Sequence, residues 1–155
     1  MRYVVVDASV AVKWLLPSRP EEADVQKALM LLQAIDGENM LMMQPPHFLA
    51  EVMGVVTRLA PDYALQLFNV VKQVDMRLAD SAEVYRTAIN LSRDLNHHLF
   101  DTLYHAAALE TPKALLITAD AVYYRKANGI GGITAVSYQV DYSNNGRSVG
   151  RNKPV

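Results

Sequence analysis

The sequence predicts an α/β fold in three layers, with a five-stranded parallel sheet between helices. Two observations predict it. Five short apolar runs, residues 3–6, 40–43, 76–79, 114–118 and 133–137, have strand length and are bounded by turn or cap residues. Helical segments lie between successive runs, and strands alternating with helices make a parallel sheet covered on both faces. There is no internal repeat and no linker between two cores, so 155 residues read as one domain.

Tyr3 to Val6 is rich in β-branched residues and continuously apolar, as a strand buried on both faces must be. Ser9 to Leu16 is a short helix stopped by Pro17. Pro20-Glu21-Glu22 opens the next helix with a proline and two acids in its first turn, and it runs to about Ile35 near Gly37. Met40 to Met43 is the second strand, ended by Pro45-Pro46, and its methionines at 40, 42 and 43 suit core filling or a partner surface. Helices follow from about Pro46 to Leu59 and from Pro61 to about Val74. Met76 to Ala79 is the weakest strand. Asp80 is the expected N-cap of a helix from Ser81 to Leu95. Leu99 to Leu109 is apolar almost all round, hence a buried helix. Ala114 to Thr118 is the fourth strand, Ala121 to Asn128 a short helix ended by Gly129, and Ile133 to Ser137 the fifth strand. Residues 1–142 form the expected domain. Residues 143–155 carry three cations, Arg147, Arg151 and Lys153, no acid and almost nothing apolar, and are expected to be mobile.

Composition narrows the function classes. Just over half the residues are apolar, enough for a sizeable core. A net charge of −1 gives no global field for nucleic acid, although a local basic patch remains compatible. The absence of cysteine removes disulfides, thiolate zinc sites and a cysteine nucleophile. No run approaches the roughly 18 apolar residues of a membrane helix, and the first apolar run is too short for a signal peptide. The expectation is a cytoplasmic protein with no membrane contact.

Four acids stand in apolar settings: Asp7 after the first strand, Glu51 inside Phe48-Leu49-Ala50-Glu51-Val52-Met53, Asp101 in the buried helix, and Asp120 after the fourth strand. Carboxylates are rarely buried without compensation. In open parallel sheets ligands bind outside the carboxyl ends of the strands, which is where Asp7 and Asp120 stand. Glu51 lies at the edge of its helix's apolar stripe, and Asp101 has no polar face to occupy. Two carboxylates about 4 Å apart repel by about 4 kcal/mol at an effective dielectric near 20. A divalent cation relieves four such charges together, and Mg²⁺ with oxygen ligands suits phosphodiester hydrolysis. Taken singly, Asp7 and Asp120 also read as helix N-caps, Glu51 as partly exposed, and Asp101 as an acid placed by the helix dipole.

These residues carry a resemblance. Val4-Val5-Val6-Asp7-Ala8-Ser9-Val10-Ala11-Val12-Lys13-Trp14-Leu15 resembles the opening of PIN-domain nucleases, especially VapC-type toxins of toxin–antitoxin pairs. Pro45-Pro46-His47-Phe48-Leu49-Ala50-Glu51-Val52, Leu99 to Leu109 around Asp101, and Leu115-Leu116-Ile117-Thr118-Ala119-Asp120 resemble the later acidic motifs, in order. The resemblance implies a PIN-like fold and a Mg²⁺- or Mn²⁺-dependent endoribonuclease. It implies Asp7, Glu51, Asp101 and Asp120 as the catalytic and metal-binding acids, with Ser9 and Thr118 in supporting hydrogen bonds. It further implies an RNA substrate, a homodimer, a small antitoxin partner, and DNA contact only through the antitoxin complex. His105 departs from the family pattern, which is apolar there. The alternatives are a catalytically latent PIN-fold binding or regulatory module, and a phosphatase or DNA nuclease with similar acids.

The remaining polar residues read more plainly. His97, His98 and His105 flank Asp101; a histidine one turn from an aspartate can share a metal with it, but hard ions prefer oxygen, so all three are expected to be surface or groove histidines. His47 reads as structural and Trp14 as packing. Arg125 and Lys126 suit either a phosphate contact or a solvated helix face, and the three tail cations a solvated tail or an RNA backbone contact.

Overall fold

A computed structural model describes residues 2–19, 23–37 and 40–138. The expected helix opening at Pro20-Glu21-Glu22 and the whole segment 139–155, with Arg147, Arg151 and Lys153, lie outside the described residues.

The strands are β1 (Arg2–Val6), β2 (Met40–Gln44), β3 (Met76–Leu78), β4 (Ala114–Thr118) and β5 (Ile133–Ala135). All pairings are parallel, in the order β3-β2-β1-β4-β5. The helices are α1 (Ala8–Leu15), α2 (Val25–Asp36), α3 (Phe48–Leu59), α4 (Ala64–Val71), α5 (Ala82–Leu95), α6 (Leu99–Glu110) and α7 (Ala121–Ala127). The five-stranded parallel α/β architecture expected from the sequence is the one observed.

β1 is the central strand, and Val4, Val5 and Val6 are all buried. Successive residues of a strand point to opposite faces, so three in a row can be buried only if both faces are covered. α6 packs on β4, β1 and β2 and against α5, while α1 packs against α2, α3 and β4. Seven consecutive residues of α6, Thr102 to Ala108, are buried, as an all-round apolar helix requires. Its three alanines, Ala106 to Ala108, bury little side chain and permit close approach.

Several boundaries shift for local reasons. The segment after Pro61 begins as a 3-10 turn (Pro61–Tyr63) before α4, and α4 ends at Val71. Asp80 is not the cap of α5. Ser81 is extended and its Oγ accepts from Val84 N at 3.3 Å, which places Asp80 one residue too early to reach those donors. The last strand stops at Ala135 because residues 136–138 turn into a 3-10 segment.

The chain runs from β1 to β2 on one side, whereas β4 pairs with β1 on the other. The sheet therefore has its switch point between the carboxyl ends of β1 and β4. Val6 pairs with Ile117, and Asp7 N donates to Ile117 O at 3.0 Å. That register sets Asp7 beside Thr118 at the mouth of the crevice.

Candidate metal centre

Asp7 follows β1 directly, and its backbone carbonyl accepts from Val10 and Ala11 at the start of α1. Its side chain makes no cap bond to the helix, so capping does not explain this acid. Oδ2 instead accepts from Ser9 Oγ at 2.7 Å and Thr118 Oγ1 at 2.6 Å. Each hydroxyl is itself oriented by a backbone N–H: Ala119 N donates to Ser9 Oγ across the crevice, and Asp120 N to Thr118 Oγ1 at its own strand end. A relay of four hydrogen bonds thus ties the β1–α1 junction to the β4–α7 junction, with Asp7 at its centre. The supporting places of Ser9 and Thr118 are now explicit, because a hydroxyl can accept from the backbone and donate to the acid at once.

Burial pushes the Asp7 carboxyl up from an ordinary value of 3.8 to about 6. The two hydroxyl bonds oppose that rise, and the charges of Glu51 and Asp101 add to it. Glu51, in the first turn of α3, is also raised, first by burial and then by Asp101, with the Tyr104 bond opposing. Tyr104 Oη donates to Glu51 Oε2 at 2.7 Å. Burial likewise keeps the Tyr104 phenol far from ionising, so its proton stays available for the bond to Glu51. His47 Nε2 lies 3.5 Å from the same oxygen, with its ring against Phe100 and Tyr104. Structural packing describes His47 well, and burial lowers its pKa, but it borders the site as well.

Asp101 sits in the first turn of α6 and Asp120 at the N-cap of α7. Asp120 Oδ1 accepts from Val122 N at 2.8 Å and Tyr123 N at 3.0 Å, so capping does apply to this acid. Oδ1 caps the helix, and His97, Asp101 and Asp120 each offer a ligand atom within 4.8 Å of the others. Among the described residues that is the group close enough to hold one ion directly. Asp7 and Glu51 fall outside it. All four acids, with Ser9, Val12 and Lys13, nevertheless line a single cleft of about 350 Å³. Asp101 is the common member, since its charge reaches Glu51 and Asp7 on one side and His97 on the other.

The histidines correct the sequence expectation. His98 is exposed, as expected. His105 is completely buried and belongs to neither surface nor groove. Its Nε2 meets Gly131 O at 2.7 Å, and a carbonyl only accepts, so the proton is on Nε2. Nδ1 then accepts from Tyr123 Oη at 3.0 Å, and burial keeps the ring neutral by lowering its pKa. His105 is a core histidine joining α6, α7 and the Gly131-Gly132 turn. His97 is nine-tenths buried beside Asp101 rather than on the surface. Tyr104 and Lys13 were missed from sequence, and the place of His97 beside Asp101 was weighed there as a shared metal site and set aside. The available signals were spacing alone: Tyr104 three residues and His97 four residues from Asp101. Trp14 packs as expected, buried with Nε1 donating to Ala28 O. Arg125 and Lys126 are exposed on α7.

The sequence that builds this sheet and its acid-lined crevice matches a family model. The PIN domain model fits residues 4–129. The chain belongs to the PIN domain family. The structure of VapBC2 from Rickettsia felis, bound to a DNA fragment from their promoter, is similar to this PIN domain with a TM-score of 0.64. The match covers 86% of this chain and 98% of that one at 13% identity, a likeness of fold. None of the curated proteins matches the sequence. No helix among the described residues of this PIN domain is long and apolar enough to cross a membrane.

Proposed function

We propose that this PIN domain is a Mg²⁺- or Mn²⁺-dependent endoribonuclease, the toxin component of a type II toxin–antitoxin pair. The observation that carries the reading is the convergence of Asp7, Glu51, Asp101 and Asp120, from four separate chain segments, on one cleft. The donor set fits a divalent cation: oxygen ligands from buried or half-buried acids, one of them, Asp7, pushed up to about 6 chiefly by burial and further by the charges of Glu51 and Asp101, which a cation would relieve. Asp101 and Asp120 would hold the ion directly, while Asp7 and Glu51, outside that close group, would complete the acidic pocket around it. When bound, it supplies Lewis acidity and charge neutralisation at the scissile phosphate.

The protein's own groups then divide the remaining work. Ser9 and Thr118 fix the Asp7 carboxylate in one orientation. Tyr104 fixes Glu51, whose raised pKa suits it to take a proton from the attacking water. Water attacks phosphorus and loses a proton to Glu51, the bond to the 3′ oxygen breaks, and that oxygen takes a proton from solvent, so the products carry a 5′ phosphate and a 3′ hydroxyl. Lys13, buried at the cleft wall, adds positive charge near the phosphate path.

The partner half of the reading has its own support. Leu49, Ala50, Met53, Ala64, Leu65 and Phe68 line an apolar groove between α3 and α4, and Leu65 is 83% exposed. Apolar surface of this kind is commonly covered in an assembly. A homodimer and a small antitoxin are the proposed partners, with DNA reached through the antitoxin, in keeping with the DNA-bound VapBC2 complex of similar fold. The test is cleavage of a defined RNA with Mn²⁺, using Asp7→Asn and Asp101→Asn as controls. Loss of cleavage in both, with folded protein by circular dichroism, is the expected result. Full activity in either variant overturns the assignment.

A further inference from the structure

We propose that His97 is a nitrogen ligand of the metal centre, giving it a preference for later first-row ions over Mg²⁺. The inference rests on the metal-dependent reading above and adds a donor that the acidic motifs do not include.

Three observations carry it. The His97 side chain is 10% exposed, although it lies in the short connection between α5 and α6, where solvent exposure is the rule. Its Nε2 atom is buried and has no hydrogen-bond partner among the described residues, despite lying 2.9 Å from Asp101 Oδ2. The two atoms are close but not aligned as donor and acceptor. A buried ring nitrogen without a hydrogen bond is costly unless something else uses its lone pair. That nitrogen, an Asp101 oxygen and an Asp120 oxygen lie within 4.8 Å of one another, so one cation can reach all three.

The surroundings hold the ring there. Asn96 adopts a left-handed conformation with φ 47°, which turns the chain sharply out of α5. His97 N then donates to Ser92 O at 3.1 Å, and Ser92 Oγ donates to His97 O at 2.6 Å. The backbone of His97 is therefore clamped from both sides by one residue. Tyr123 packs against the ring at 4.8 Å between centroids, and Tyr123 N is one of the two donors that cap onto Asp120. Ring and carboxylate are positioned by the same helix start.

Lys126 is the competing group. Its Nζ lies 3.3 Å from His97 Nδ1 and donates to Asn96 O at 3.0 Å. Ligation through Nε2 requires the proton on Nδ1, so Lys126 must yield that nitrogen. It is exposed and keeps its bond to Asn96 O, so the adjustment is small.

Donor chemistry sets the consequence. Mg²⁺ takes oxygen ligands and gains little from imidazole, whereas affinity for nitrogen donors rises from Mn²⁺ through Co²⁺ and Ni²⁺. The experiment is calorimetric titration of metal-free protein with Co²⁺ and Mg²⁺, together with the visible absorption of bound Co²⁺. Wild type, His97→Gln and His97→Ala are compared, each checked by circular dichroism and urea unfolding. The expected result is a loss of roughly tenfold or more in Co²⁺ affinity in both variants, with a changed Co²⁺ spectrum and Mg²⁺ affinity held within about threefold. Binding of both ions with an unchanged Co²⁺ spectrum and affinity in a folded His97 variant overturns the inference and leaves the nuclease reading standing. Failure of wild type to bind either ion overturns both.

Discussion

Replacing Asp7 with Asn should stabilise the metal-free protein, and the gain should depend on pH in a defined way. The folded protein holds the Asp7 proton with a pKa of about 6, against an ordinary 3.8 when unfolded. Below about pH 3.8 the group is protonated in both states and contributes nothing. Between 3.8 and 6 the unfolded chain ionises first, so folding stability falls as pH rises. Above 6 the loss is constant. At about 1.4 kcal/mol per pH unit, the full penalty is roughly 3 kcal/mol. Asn carries no charge, and its Oδ1 can still accept from Ser9 and Thr118. Urea unfolding of both proteins in EDTA, from pH 4 to 8, measures the difference directly. The Asp7→Asn advantage should grow from near zero to about 3 kcal/mol, with its rise complete by about pH 7. Because only the difference is read, the titration of other groups largely cancels. An advantage that is flat with pH, or a variant less stable than wild type at pH 7.5, would refute the claim that Asp7 is an uncompensated buried carboxyl. In Mn²⁺ the order should reverse, since the ion stabilises the folded wild type.

Further outcomes follow from single contacts. Thr118→Val removes the donor to Asp7 Oδ2 and leaves Asp120 N–H without its partner; it should cost about 1–3 kcal/mol and move the Asp7 transition above pH 6, read by the same unfolding series. Tyr104→Phe deletes the donor to Glu51, so Mn²⁺ affinity by calorimetry should fall several-fold while the fold is kept; unchanged affinity would remove Tyr104 from the site. Gly132→Ala places a Cβ 2.9 Å from Leu109 Cδ2 at a backbone φ of +68°, and should lower stability by roughly 1–3 kcal/mol in urea. Deleting the apolar contact surface with Leu65→Glu should leave the monomer's stability nearly unchanged, because Leu65 is exposed, while weakening any assembly seen by sedimentation.

The sheet was legible because its strands are short, apolar and separated by helices, and because β1 has three consecutive valines that only a doubly covered strand can hide. The convergence of the acids was legible from strand ends and helix faces. What periodicity could not supply was the use of each acid. Asp7 and Asp120 both stand at the N-cap of the helix after a strand, yet only Asp120 caps the helix backbone with its side chain. The difference is made by two hydroxyls that capture the Asp7 carboxylate, Ser9 from the adjoining helix and Thr118 from across the crevice, 111 residues away. The burial of His97 was not legible for a similar reason. It belongs to a connection, and although an asparagine after a helix suits a left-handed residue, nothing in the spacing says that the turn buries the next side chain. His105 was misread because its partners, Tyr123 and Gly131, come from later elements. The Asp80 cap failed by one residue, within the reach of a serine that competes for the same donors.

The measurement closest to the central claim is the incubation of purified protein with a mixed RNA pool in Mn²⁺, Mg²⁺ or EDTA, beside Asp101→Asn, followed by mapping of the new ends. Discrete fragments with 5′ phosphates, present with metal and absent in EDTA and in the variant, are what the account predicts. Intact RNA in every condition, from protein that demonstrably binds the ion, would contradict it.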